Sequence, residues 1–248
     1  LFAAANAEAM KPLPTKIIAA VEIGTSKMKV LLGEIRSKKA LNVVGFGSIE
    51  SFGVKKGELV NFKVASEQVH LAIDLAEKSA GVKIEEVYLS ITGRHLRGSF
   101  NLGSTRVRSA DNTVSASDVQ RTVDEAKRKE LLTGRIYVHF IRNPFQLDGR
   151  PIDDPLDLEG NMLEVGYWSV DGEEKVIKDL LHVINGYGLE VGHVIVSSLA
   201  SGEIATTRAD RKAGALVIDF GAGTTDYVLY RDGRAAKTGV VPLGGDHL

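Results

Sequence analysis

Ile218-Asp219-Phe220-Gly221-Ala222-Gly223-Thr224-Thr225-Asp226 decides the reading of this chain. It joins two apolar runs, 215–218 and 228–230, as a strand, a glycine-rich turn and a second strand. Asp232-Gly233 then makes a further tight hairpin turn of the primed type. Far upstream, Val21-Glu22-Ile23-Gly24-Thr25-Ser26-Lys27 repeats the arrangement: an acid at a strand end, then glycine and hydroxyl residues in the turn. Glycines let a backbone approach phosphate oxygens closely, and turn amides form an anion-binding nest. The carboxylates of Glu22 and Asp219 would repel phosphate, but they suit Mg2+, which keeps much of its water shell and is held through it. Either copy alone is compatible with an ordinary hairpin turn. Together they supply the two sides of a clamp on a magnesium-bound triphosphate. The candidate phosphate contacts are Gly24, Thr25, Ser26, Lys27, Gly221, Ala222, Gly223, Thr224 and Thr225. The candidate metal residues are Glu22 and Asp219.

Outward from these turns, residues 17–23 and 27–35 read as a hairpin and 41–50 as a third strand. Ala65, Val69, Ala72, Ile73 and Ala76 recur at helical spacing, with Gly81 as the C-cap, and 87–91 is the next strand. This order opens a mixed sheet flanked by helices. From Gly93 to Asp171 the chain is richer in arginine and turn residues. It holds one clear helix, opening on a capping box read as Ser117-Asp118-Val119-Gln120, and strands around 136–147 and 161–170. We read it as an inserted α+β subdomain with its own small core. A helix near 172–185, a strand at 190–197 and a short helix from Leu199 resume the main domain.

The 248 residues suffice for one large domain or two ordinary ones, and a net charge of -1 argues against nucleic acid as the main partner. With no cysteine, disulfides, thiol nucleophiles and zinc–thiolate sites are excluded. Residues 1–10 lack the basic cluster of a signal peptide, and no apolar run reaches the roughly 18 residues that span a bilayer. The segment 242–248 directly follows a strand, so the chain reads as a fragment. His95 and His139 lack ligand spacing and read as structural or interface residues. Trp168 reads as half-buried packing in an alternating strand. Arg94, Arg97, Arg106 and Arg108 form a basic patch, either a solvated face or a docking surface.

The paired turns resemble the two phosphate loops of the actin, DnaK-type chaperone and sugar-kinase ATPases. Within that superfamily the chain is most similar to the FtsA family of bacterial division proteins. The resemblance rests on Val30-Leu31-Leu32-Gly33-Glu34, Gly53-Val54-Lys55-Lys56-Gly57, Leu89-Ser90-Ile91-Thr92-Gly93 with His95, and Asp118-Val119-Gln120-Arg121. Gln146-Leu147-Asp148-Gly149, Asp154-Pro155-Leu156, Gly160-Asn161-Met162-Leu163-Glu164 and Val240-Val241-Pro242-Leu243-Gly244-Gly245 add to it. It runs from about Lys16 to the last residue. It implies an α/β, actin-like (ribonuclease H-like) mixed sheet with an inserted small subdomain, truncated in the second half. The implied division is a disordered tail at 1–15, subdomain IA at 16–92 and 172–209, subdomain IC at 93–171, and the start of subdomain IIA at 210–248. The implied function is ATP and Mg2+ binding by a cytoplasmic, peripheral membrane protein at the division site. Such a protein links FtsZ filaments to the membrane through a C-terminal helix absent from this chain, self-associates, and recruits later division proteins. A PilM-like pilus-assembly adaptor is the alternative. A sugar kinase is a further one, for which Asp226 is a candidate base by proximity alone. Filament-forming relatives such as MreB place a glutamate where this chain has Ser197-Ser198, and a serine is a poor base. Slow or negligible ATP turnover is therefore expected.

Overall fold

The computed structural model describes residues 16–37 and 40–247. The tail expected at 1–15 lies outside the described residues. Strands β1 (Lys16–Ile23), β2 (Lys27–Ser37) and β3 (Ala40–Glu50) form an antiparallel meander. A small hairpin, β4 (Val54–Lys55) and β5 (Glu58–Leu59), leads into α1 (Phe62–Ala80) and then β6 (Glu86–Ile91). Asn61 caps α1 by accepting from the Val64 amide, and Gly81 ends it in the left-handed region at φ 68°. β6 pairs parallel to β1.

The next segment builds a second sheet from β7 (Arg97–Arg106), α2 (Ala116–Lys127), β8 (Arg135–Leu147), β9 (Arg150–Ile152) and β10 (Met162–Glu173), in the order β7-β10-β8-β9. α2 packs on β7 and β10 over a core of Val107, Val114, Ala126, Phe145, Leu147, Leu163, Val165 and Tyr167. The α2 cap is Ser115, two residues before the expected Ser117. Asp118 stands at the third helical position, where it and Ser115 complete the reciprocal box, and Arg121 pairs with it. β7 has no counterpart in the expected elements. Its Gly98, Gly103 and three serine or threonine residues mask the alternation, yet Gly103 is what lets α2 approach, since a Cβ there would strike the Thr122 carbonyl.

α3 (Glu174–Asn185) follows and buries Ile177, Leu180, Val183 and Ile184, with Val176 and Leu181 partly covered. β11 (Glu190–Val196) completes the first sheet in the order β11-β6-β1-β2-β3, parallel at β1, β6 and β11 and antiparallel at β1, β2 and β3. This is the mixed sheet expected. α1 and α3 pack against each other on it, and its core runs through Val21, Met28, Val30, Leu32, Ile73 and Leu89. α4 (Ser197–Ala205) lies between this sheet and a third one, β12 (Ala215–Phe220), β13 (Thr225–Arg231) and β14 (Arg234–Val241), with α5 (Arg208–Ala213) beside it. Asp232 and Gly233 have φ of 52° and 79°, the primed turn expected.

The second sheet is tied to its neighbours by buried polar links. Arg135 pairs with Asp171 and donates to the His95 carbonyl at 2.8 Å. His139 Nε2 accepts from the Val196 amide at 3.2 Å, and burial lowers its pKa, so the ring is neutral with its proton on Nδ1. His95 is buried too, its pKa also lowered by burial. Trp168 is 7% exposed, more enclosed than its pattern suggests, and donates Nε1–H to Thr238 on β14 at 3.0 Å. The basic patch is partly used: Arg94 pairs with Glu58 at 3.1 Å.

β3 lies close under α1 because Gly45 and Gly47 have no side chain. A Cβ on Gly47 would run into the Ala72 carbonyl oxygen and meet the Ala76 amide nitrogen at 2.9 Å, both backbone atoms that cannot rotate away. Gly47→Ala is expected to destabilise the fold by about 3 kcal/mol through forced separation of helix and sheet, read as a lower urea midpoint.

Candidate functional site

The hairpins β1–β2 and β12–β13 close in the same way. The Gly24 amide donates to the Lys27 carbonyl at 3.2 Å, and the Gly221 amide to the Thr224 carbonyl at 2.9 Å. Pairing resumes at Ile23 with Met28 and at Phe220 with Thr225, which leaves a four-residue tip in each. A Cβ on Gly24 would stand 2.7 Å from the Lys27 carbonyl oxygen, and one on Gly221 3.0 Å from that of Thr224. The tight closure therefore favours glycine on steric grounds. Glu22 and Asp219 occupy the same place, two residues before each glycine. Among the described residues the amides of Thr25, Ser26, Ala222 and Gly223 have no protein acceptor, which leaves donors at both tips for an anion.

The tips touch. A Cβ on Gly223 would lie 2.6 Å from Thr25 Oγ1 and 3.1 Å from the Lys56 amide nitrogen. Thr25 Oγ1 in turn accepts from the Gly57 amide at 3.3 Å. Lys56 and Gly57 hold φ of 53° and 76° in the β4–β5 turn, which backs the first tip. The second tip is backed by the last described residues: Gly245 and Asp246 donate their amides to the Gly221 and Ala222 carbonyls, each at 2.9 Å. Those bonds engage both carbonyls within the protein.

Asp226 lies between the two halves. It is 4% exposed, sits opposite Asp219 across β12–β13, and has the Thr92 hydroxyl 2.7 Å from both its carboxyl oxygens, with Thr224 donating at 3.3 Å. Burial pushes its pKa up to about 6; the Thr92 and Thr224 hydrogen bonds oppose the shift, while the charges on Asp219 and Glu22 add to it. Both tip acids thus act on one buried carboxyl. Glu22 pairs with Lys29 at 3.0 Å, the two half-exposed, and Asp219 accepts from the Ser201 hydroxyl on α4.

The hydroxyls singled out in the sequence have different employment. Thr224 donates to Asp226, and Thr225 donates to the Leu243 carbonyl at 2.7 Å, so both hydroxyls are already engaged within the protein. Ser26 and Lys27 are exposed at the first tip. Among the described residues no group of three or more His, Asp or Glu is arranged to hold a metal directly. Carboxylates carried on two separate hairpins suit an ion held through its water shell, as Mg2+ is. Thr92, Ser201, the Lys56–Gly57 turn and the backbone of 244–246 are parts of the site that the spacing did not point to. Ser197 is committed elsewhere: its hydroxyl lies 2.9 Å from that of Ser90 and 3.0 Å from the Ile91 carbonyl.

Residues 93–171 match the model of the SHS2 domain inserted in FtsA. The chain is 33% identical over 229 residues to the cell division protein FtsA of Borreliella burgdorferi, covering 92% of this chain and 55% of the relative. It is 30% identical to that of Pseudomonas aeruginosa over 94% of this chain and 56% of the relative, and 28% identical to that of Bacillus subtilis over 94% and 53%. The chain thus spans about half the length of the curated relatives it matches. Among solved structures, a PilM–PilN type IV pilus biogenesis complex aligns with a TM-score of 0.59 at 17% identity, over 92% of this chain and 62% of that one. The ethanolamine utilization protein EutJ from Carboxydothermus hydrogenoformans aligns with 0.51 at 16% identity, over 96% and 56%. These two support the actin-like fold.

The Asp226 carboxyl, raised from an ordinary 3.8 to about 6, favours the folded state while protonated. That contribution is complete below about pH 4 and is lost as pH rises through about 6, a change on the order of 3 kcal/mol. Asp226→Asn is expected to remove this fall, measured as the difference between the two proteins' stability curves across pH 4 to 7.

Proposed function

We propose that this chain, similar in sequence to FtsA over more than nine-tenths of its length and carrying the FtsA-type inserted domain, is the ATP- and Mg2+-binding part of an actin-like cell-division protein. The observation that carries the reading is the contact of Gly223 with Thr25, which sets two equivalent hairpin tips against each other. Free amides at 25, 26, 222 and 223 would receive the phosphates, and Lys27 would add positive charge. Glu22 and Asp219 would hold the hydrated Mg2+, which supplies charge neutralisation when bound. Asp226, kept beside them by Thr92, positions Thr224 at the base of the second tip.

In the same reading, residues 16–92 and 172–209 form subdomain IA, 93–171 subdomain IC, and the chain from 210 begins IIA. The protein acts at the division site on the cytoplasmic face of the membrane. There it connects FtsZ filaments to the lipid surface, associates with its own kind, and engages later division proteins through 93–171. No described helix is long and apolar enough to cross a membrane, and the link proposed is peripheral. Hydrolysis is slow, because Ser197, donating to a backbone carbonyl, is no base for water. A sugar-kinase reading draws on Asp226 alone. The likeness to the pilus protein is one of fold.

Calorimetric titration of ATP, with and without Mg2+, tests the site in this chain and in a full-length homologue. Gly223→Val, which drives a side chain into Thr25, is expected to weaken ATP binding at least about tenfold, about 1.4 kcal/mol. The pair Glu22→Gln with Asp219→Asn is expected to abolish the Mg2+ enhancement while sparing metal-free binding. Affinity untouched by either change, or transfer of labelled phosphate from ATP to a sugar, would sink the proposal.

A further inference from the structure

A cavity of about 610 Å3 lies apart from the hairpin tips, where β8, α4, α5 and the β13–β14 hairpin meet. Its walls are apolar: Ile141 of β8, Leu199 of α4, and Tyr230 and Ala235 of the hairpin. Its rim is cationic. Arg211 is buried, stacks over the Tyr230 ring at 5.7 Å and pairs with Glu203 at 2.9 Å, so its charge is matched internally. Arg234 is held in place by donating to the Arg142 carbonyl at 2.9 Å, which neutralises nothing. Arg208 and Lys212, on successive turns of α5, are exposed and have no acid within 4.0 Å among the described residues. Three cations therefore face one remaining acid, Asp232, around a pocket whose depth is apolar.

This pairing has a specific chemical complement. Unmatched guanidinium and ammonium groups attract carboxylates, and a concave apolar floor favours one inserted aliphatic or aromatic side chain. A flat lipid surface would meet the rim but leave the floor empty, and nucleic acid would ask for a longer basic track than a chain of net charge -1 presents. We propose that the cavity receives an acidic peptide segment of a partner protein. Carboxylates dock on Arg208, Lys212 and Arg234, and an apolar side chain rests against Ile141, Leu199 and Tyr230. The proposal stands on these residues alone and does not depend on nucleotide binding. It does carry a consequence for the tips: α4 lines this cavity with Leu199 and Glu203 and gives the Ser201 hydroxyl to Asp219.

The test uses the chain as it is, with a labelled Glu-Asp-Phe-Asp-Glu peptide read by fluorescence anisotropy and by amide shifts. The expected result is saturable binding that weakens as salt rises from 50 to 300 mM, with shifts centred on α5 and the β13–β14 turn. Arg208→Glu with Lys212→Glu, both at exposed positions, should weaken it at least about tenfold at unchanged melting temperature, while Arg208→Lys should keep it. A Lys-Lys-Phe-Lys-Lys peptide should not bind. No saturable binding, equal affinity in the doubly reversed variant, or a charge-dependent attachment to phosphatidylglycerol vesicles without peptide binding would overturn the proposal.

Discussion

Gly223 has no side chain because Thr25 occupies the space where one would go. The contact joins residues from opposite halves of the chain, and the other features of the site are arranged around it. Each tip is held from behind: the Gly57 amide donates to the Thr25 hydroxyl at the first, and the amides of 245 and 246 donate to the 221 and 222 carbonyls at the second. The first tip is thus held through its Thr25 hydroxyl and the second through its own carbonyls. The amides of 25, 26, 222 and 223 are left without protein acceptors, and successive free turn amides of this kind can form an anion-binding nest.

The acids express the same economy. Glu22 and Asp219 each have one polar partner, Lys29 and Ser201, which orient them without sealing them off. Asp226 is different. It is enclosed, bonded to Thr92 from the first lobe, and raised in pKa by burial above all. A buried carboxyl of this kind serves positioning at a cost in stability near neutral pH, a trade common at functional sites.

Much of the fold was legible in the sequence, for reasons that differ by element. α1 announced itself by five small or branched residues at helical spacing and a glycine stop, and the hairpin at 232–233 by its Asp-Gly turn. β7 was hidden because Gly98 and Gly103, which make room for Trp168 and α2, weaken the strand pattern that would have revealed it. The α2 cap was misplaced by two residues because Ser115 and Ser117 both qualify locally. Only the Asp118 side chain, bonded back to the Ser115 amide, distinguishes them. At the site, glycines and acids were visible as a duplicated pattern. Thr92 and Ser201 were not, since each is an isolated hydroxyl whose meaning arises when β6 and α4 come to rest beside β13 and β12.

The bond from Trp168 to Thr238 and the one from Arg234 to the Arg142 carbonyl join the second sheet to the β13–β14 hairpin, while the bond from the Val196 amide to His139 anchors that sheet to the first one. The inserted sheet is therefore a crossbrace with one foot on the first sheet and one on the third. Any shift of the third sheet relative to the first must break one of these struts or carry the brace with it, so residues 93–171 bear on the spacing of the two hairpin tips.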